Sequence, residues 1–401
     1  MQCPPRVLKR SAQIAGGTKD IMGHQITKKQ HYVPQFLLRG FDAKQTDTPK
    51  VHILDMEKST IRQNQSIKDT FSQNYFYDKE NEMEKFLSLN IEEPAAIIVN
   101  KLRSLDFSML NMNDTALIKF ICCQNSRTVE GREDALRFIN EHFHQIVADF
   151  ARLNGLDIPD PTKLKIVPEG KDGMRNFNAE QALRGVIDSK GMEDLKFHIF
   201  KNQTEVDFII SDHAVSRYNW LYSDLKDGRV GSMLARGVQL FIPLSSKLYL
   251  CAYDPKIYKY GTRTADVSEL KNANDVDWLN QLQMRFAHAF IAFESVKMID
   301  YINKLHVMFH GKKVYIRNSM HLGQEELGEA KLKTTHLVYT EQIKLNYKPT
   351  FFKIIKKAKK YAQNFEERDP VASLKLMMLK ESVRETRVKD QALIKQRIVT
   401  P

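Results

Sequence analysis

VQLFIPLSSKLYLCAY, residues 238–253, is the stretch on which the fold turns. It reads as two apolar, strand-forming runs joined at Pro243 to Lys247. Just upstream, EVDFIISDHAV (205–215) reads as a third strand whose apolar run stops at Ser211-Asp212. A strand-like stretch lies near 195–200. Far upstream, KVHILDM (50–56) alternates apolar and polar residues, and STIRQNQSI (59–67) alternates again. Glu57-Lys58 between them can turn the chain, so the pair predicts a hairpin.

Helical signals surround these strands. EMEKFLSLNIEEPAAIIVNKL (82–102) carries an apolar face through Phe86, Leu87, Ile91, Ile97, Ile98 and Leu102, and Pro94 should kink or split it. NDTALIKFICCQNSRT follows a capping candidate at Asn113 or Asp114. REDALRFINEHFHQIVADFARLNG stops at Asn154-Gly155. A linker or insertion over 156–176 and a short helix around 178–188 follow. DVDWLNQLQMRFAHAFIAFESVKMIDYINKL (275–305) reads as one long helix with an acidic start. FFKIIKKAKKYAQNF (351–365) and residues 373–398 read as basic amphipathic helices. The expected fold is therefore α+β, mostly helical, with a small and largely antiparallel sheet and a basic helical C-terminal extension. The expected organisation is a mobile basic arm over 1–25, a core domain over 26–310 and a C-terminal region over 311–401.

With 401 residues, 42% of them hydrophobic, the chain can bury a sizeable core without cross-links. A net charge of +12 favours contact with polyanions such as RNA, DNA or anionic lipid. Four cysteines with no CxxC disfavour a disulfide framework or a structural zinc site, and Cys122-Cys123 read as small buried groups in a helix. MQCPPRVLKRSAQIAGG lacks the long apolar run of a signal peptide, and no stretch approaches the roughly 18–20 apolar residues of a membrane span. The expected location is the cytoplasm. HExxH, GxSxG, P-loop and GxGxxG patterns are missing from any usable context, which disfavours metalloprotease, serine hydrolase, P-loop ATPase and Rossmann chemistry.

Several polar residues are candidates for chemistry. ITKKQHYVPQFLLRGF (26–41) crowds Lys28, His31, Tyr32 and Gln35 beside an apolar anchor, and Val33 before Pro34 should be extended. His31 is either a general base on a rigid platform or a satisfied, partly buried ring. Glu84 and Glu92, eight apart, share a helix face and are either a cation or proton site or surface acids. Gln124 and Arg127, three apart, can clamp a phosphate, or Arg127 pairs with Glu130 or Glu133. Asp212 closes a strand, as ligand or as turn cap, and His213 beside it should point the other way. Asn280 either orients substrate or knits two helices. Lys353, Lys356 and Lys357 interleave with aromatics, which suits phosphate binding or a solvated helix.

KKQHYVPQFLLRGF resembles the start of the microbial family catalogued as domain of unknown function 4238. The likeness continues through EKFLSLNIEEPAA, FICCQNSRT, FIISDHAV, FIPLSS and WLNQLQMRFAHAFI, over roughly residues 26–305. It implies that His31, Tyr32, Glu92, Gln124, Arg127, Asp212 and Asn280 stand where members keep polar groups. SDHAV departs from the usual SDNPV.

The residue types together suit phosphodiester cleavage of nucleic acid: His31, Arg127 and Asp212 catalytic, with Tyr32, Gln124, Asn280, Lys353, Lys356 and Lys357 on the substrate. Glu92 and Asp212 would hold a divalent metal such as Mg²⁺. A role in microbial defence or as a toxin fits. The alternative is a non-enzymatic module that binds nucleic acid or a protein partner through the basic C-terminal helices.

Overall fold

The computed structural model describes residues 27–43, 48–111, 115–157, 160–261, 266–326 and 332–399. The N-terminal arm and the Asn113/Asp114 cap lie outside them. β1 (Lys29–His31) leads into α1 (Gln35–Leu38), entered through an extended Pro34. β2 (Lys50–Asp55) and β3 (Thr60–Ser66) form the expected hairpin, with Asp55 opposite Thr60. β4 (Ser72–Asn74) returns to β1 and places Ser72 opposite His31. α2 (Glu82–Leu87) passes through a π-helical turn, Ser88–Glu92, into α3 (Glu93–Arg103). Pro94 follows directly on that π-helical turn, where its missing N–H removes a bond to the preceding helical carbonyls, so the irregularity lies just before the proline.

α4 (Thr115–Ser126), α5 (Val129–Leu153) and α6 (Gly173–Asp188) follow. α4 and α6 cross so closely that a Cβ on Gly185 would meet the Cys122 carbonyl at 2.5 Å. Then come β5 (Lys196–Asn202), β6 (Ile210–Ser211), β7 (Ser216–Tyr218), β8 (Gln239–Pro243), β9 (Leu248–Tyr253), β10 (Tyr258–Tyr260) and β11 (Val267–Leu270). β8 and β9 are the two strands read in residues 238–253, and every residue of both is buried. The chain continues with α7 (Ala273–Phe286), β12 (Phe290–Phe293), α8 (Ile299–Phe309), β13 (Tyr315–Glu326), β14 (Leu332–Gln342), β15 (Phe352–Ile354) and α9 (Pro370–Val399).

Five strands order as β11-β5-β9-β8-β7, antiparallel except for the β11–β5 pair. Four more order as β3-β2-β12-β6, and β1-β4, β10-β15 and β13-β14 are separate pairs. The described residues thus hold nine helices and fifteen strands in five sheets, 45% helical and 20% strand, which is a mixed α/β fold. This corrects the expectation of one small sheet in an α+β, mostly helical chain. The physical reason is strand length. β1, β4, β6, β7, β10 and β15 span two or three residues, too few to show a period of two.

The expected helix over 275–305 is also corrected. α7 ends at Phe286, and β12 inserts between β2 and β6 before α8 begins. Residues 351–365 form β15 and a 3-10 turn, Lys356–Gln363, instead of one amphipathic helix. Leu345, Phe352 and Ala358 belong to an aromatic-rich cluster with Trp278, Tyr258 and Phe241. A larger cluster joins Leu37 and Phe41 to α3, α4 and the inner face of β8. Among the described residues no helix is long and apolar enough to cross a membrane.

Candidate functional site

The segment that opens the fold is held by its main chain. Gln124 Nε2 donates to the Tyr32 carbonyl at 2.8 Å. Arg127, 1% exposed, donates from Nε to that carbonyl and from Nη2 to the carbonyl of His31. Its Nη1 lies 2.7 Å from Glu92 Oε1. Glu84 lies within electrostatic reach of Glu92 and Arg127 and takes a hydrogen bond from the His31 N–H. Burial first, and Glu92 second, push the Glu84 carboxyl up to about 8 against the pull of Arg127.

The His31 ring faces elsewhere, toward the carbonyls of Ile67 and Lys68, and burial lowers it to about 4. Its Nε2 has no hydrogen-bond partner among the described residues. The structure therefore gathers Glu84, Glu92, Gln124 and Arg127 around the His31–Tyr32 backbone. The Tyr32 ring packs on Phe71 and Phe76, and its hydroxyl is raised by burial and then by the nearby Asp212 carboxylate.

Asp212 accepts three main-chain N–H groups, from His288 and Ala289 at 2.8 Å and Phe290 at 3.0 Å. Both oxygens are engaged in shaping the turn between α7 and β12. Burial raises the carboxyl to about 6 in spite of those donors. Asn280 accepts from the Ile209 N–H and donates to the Asp207 carbonyl and Tyr301 hydroxyl, so it knits α7 to the strand before Asp212. Lys353, Lys356 and Lys357 are exposed, in β15 and the turn after it. Among the described residues, no group of three or more His, Cys, Asp or Glu is placed to hold a metal ion. Glu92 is engaged by Arg127, and Asp212 by backbone.

A second polar cluster adjoins the first. Thr128, the residue after Arg127, caps α5 through Gly131 N and lies 2.5 Å from His213 Nδ1. His213 stacks on Phe286 and is lowered to about 4 by burial against the opposing effect of Glu130. Glu130 Oε2 meets His288 Nδ1 at 3.1 Å, and Oε1 meets Arg137 Nη2 at 2.9 Å and Lys313 Nζ at 3.3 Å. Burial would raise Glu130, but His288, Lys313 and Arg137 together bring it down to about 2. The same hydrogen bond raises His288, which keeps 34% of its side chain exposed. Asp134 and Arg217, which act electrostatically on His213, line a cleft of about 590 Å³ with Arg229, Ser232, Phe365 and Glu367.

The family described as protein of unknown function, DUF4238, matches residues 29–297. The chain belongs to the DUF4238 family. No curated protein and no solved structure matches it. The matched span of this DUF4238 chain contains both polar clusters except Lys313. Sequence reading singled out Arg127 and Asp212 as catalytic and Asn280 as substrate-binding, where the structure shows each bonded to main chain, and passed over Thr128, Glu130 and His288 as reactive groups. Glu130 and His288 are 158 positions apart and carry no spacing signal. Only the departure at His213 in SDHAV marked the place.

Proposed function

We propose that this protein cleaves phosphodiester bonds in nucleic acid by proton transfer at His288. One observation carries this reading: Glu130 receives His288 Nδ1 while two further cations close on the same carboxylate. A carboxylate that binds one imidazole nitrogen fixes the ring and leaves the other nitrogen for a substrate proton. The bond from Glu130 raises the proton affinity of His288, so the ring takes up a proton more readily than a free imidazole.

In the proposed step, water attacks phosphorus, its proton moves to His288 Nε2, and the P–O ester bond breaks. The proton then passes to the leaving oxygen. Lys313 and Arg217 supply positive charge for the phosphate. Asp212 acts as a positioning residue because it holds the His288 N–H. Thr128 does the same for the first turn of α5, which it caps through Gly131 N. The net charge of +12 suits a polyanionic substrate.

The test is incubation of the full chain with labelled RNA and DNA in Mg²⁺, Mn²⁺ or EDTA. Wild type is compared with His288→Ala, Glu130→Gln, His31→Ala and Asp212→Ala. The expected result is cleavage that survives EDTA and drops at least about 100-fold in His288→Ala. Equal cleavage by His288→Ala, or none under any condition, overturns the proposal. A second reading rests on the exposed Lys353, Lys356 and Lys357: salt-dependent binding without cleavage. Retention of nucleic acid that disappears in Lys356→Glu/Lys357→Glu, with no cleavage, would favour it.

A further inference from the structure

We infer that the cleft lined by Arg217, Arg229, Ser232 and Phe365 receives a single nucleotide unit, its phosphate on the arginines and its base against the aromatic wall. For its reaction this rests on the phosphodiester reading above; for binding it does not. The cleft is about 590 Å³, within the range of pockets that enclose small ligands. A duplex, roughly 20 Å across by the groove dimensions of B-DNA, does not fit such a space.

The chemistry of the walls is specific. Arg217 places its guanidinium carbon over the Tyr315 ring, 4.8 Å from the ring centroid. Its Nε is shielded from solvent and has no hydrogen-bond partner among the described residues. The guanidinium also bonds the Tyr315 side chain, and its outer nitrogens, on the cleft that Arg217 lines, match phosphate oxygens. Arg229 projects from the neighbouring loop over Phe365, 4.4 Å from its centroid, and gives Nε and Nη2 to the Asp227 carboxylate at 2.9 and 2.7 Å, which leaves Nη1 for a phosphate. Aromatic faces next to arginines suit stacked bases of any sequence. The link to the proposed reaction runs through packed rings: Arg217 on Tyr315, Tyr315 against Phe286, and Phe286 stacked on His213. Asp134 and Glu367 at the same cleft repel additional phosphates, which favours one nucleotide over a continuous backbone.

Binding and cleavage are measured separately on the full chain. A nucleoside monophosphate and the same nucleoside without phosphate are titrated by calorimetry into wild type, Arg217→Ala and Arg217→Lys. Single-stranded and duplex oligonucleotides of one sequence are then compared as cleavage substrates. The inference expects the monophosphate to bind at least 10-fold tighter than the nucleoside and to weaken at least 10-fold in Arg217→Ala, with partial recovery in Arg217→Lys. It also expects duplex to be cut at least 10-fold more slowly than single strand. Arg229→Ala, on a largely exposed side chain, applies the same test if the Arg217 variant fails to fold. Equal monophosphate affinity in the folded variants, or no binding at all, overturns the cleft even if His288-dependent cleavage is found. Binding with no cleavage of any substrate upholds the cleft and sinks the reaction.

Discussion

At Asp212 one carboxylate satisfies three main-chain N–H groups, so its removal strands buried donors. Asp212→Ala should cost about 3–9 kcal/mol in urea unfolding, and Asp212→Asn clearly less, because each of three orphaned donors costs about 1–3 kcal/mol. Glu84 makes the opposite case. Its folded-state value of about 8 lies above the ordinary 4.5, so the fold favours the neutral acid. The stabilising contribution is full below about 4.5 and is lost as pH rises through about 8. Wild type should therefore lose more stability than Glu84→Gln between pH 5 and 9, read by urea midpoints. Equal losses would remove the linkage. At this scale the sequence shows which groups are unusual but not where they aim. His31 and Glu84 stood out by context, yet the ring turns to Ile67 and Lys68 while the carboxyl meets the backbone. That choice is made by residues 36 to 53 positions away.

Elements touch through a few tight crossings. Replacing Gly185 by Leu should lower the melting temperature by several degrees or prevent folding, because Cys122 and Cys123 backbone fill the space on α4. Calorimetry would check it, and an unchanged transition would mean that α4 and α6 can separate. The Glu130–His288 bond ties the start of α5 to the turn before β12. Glu130 is held at about 2, so its contribution exists above the ordinary carboxylate range and is lost as pH falls toward that value. His288 is raised, so its contribution is full below 6.5 and is lost as pH rises through its higher folded value. The melting difference between wild type and His288→Ala should peak between about pH 4.5 and 6.5; a flat profile would count against the bond. The β2–β3 hairpin and the β8–β9 pair were readable because each carries its own pattern and turn. β12 was not, since FIAF between two apolar helices continues a helical run until β2 and β6 flank it.

Across the whole molecule, the last part of the chain is structural. Arg368, 3% exposed, donates to the carbonyls of Gly191, Met233 and Ala235 and pairs with Asp194. Arg368→Ala should cost about 3–5 kcal/mol, checked by urea unfolding, since it strands a buried set of acceptors. Removing residues 345–401 should yield insoluble protein, because Leu345, Phe352 and Ala358 complete the aromatic cluster. Charge reversal at exposed lysines is thus the cleaner probe of the basic segment. Composition announced a lysine-rich end but not its docking, since β15 becomes a strand only against Tyr258–Tyr260. The position of Arg368 also sets an order of events during synthesis. On the ribosome, Trp278 and Tyr258 emerge before Leu345, Phe352 and Ala358, so their aromatic cluster closes only once those later residues and the Arg368 anchor have left the exit tunnel.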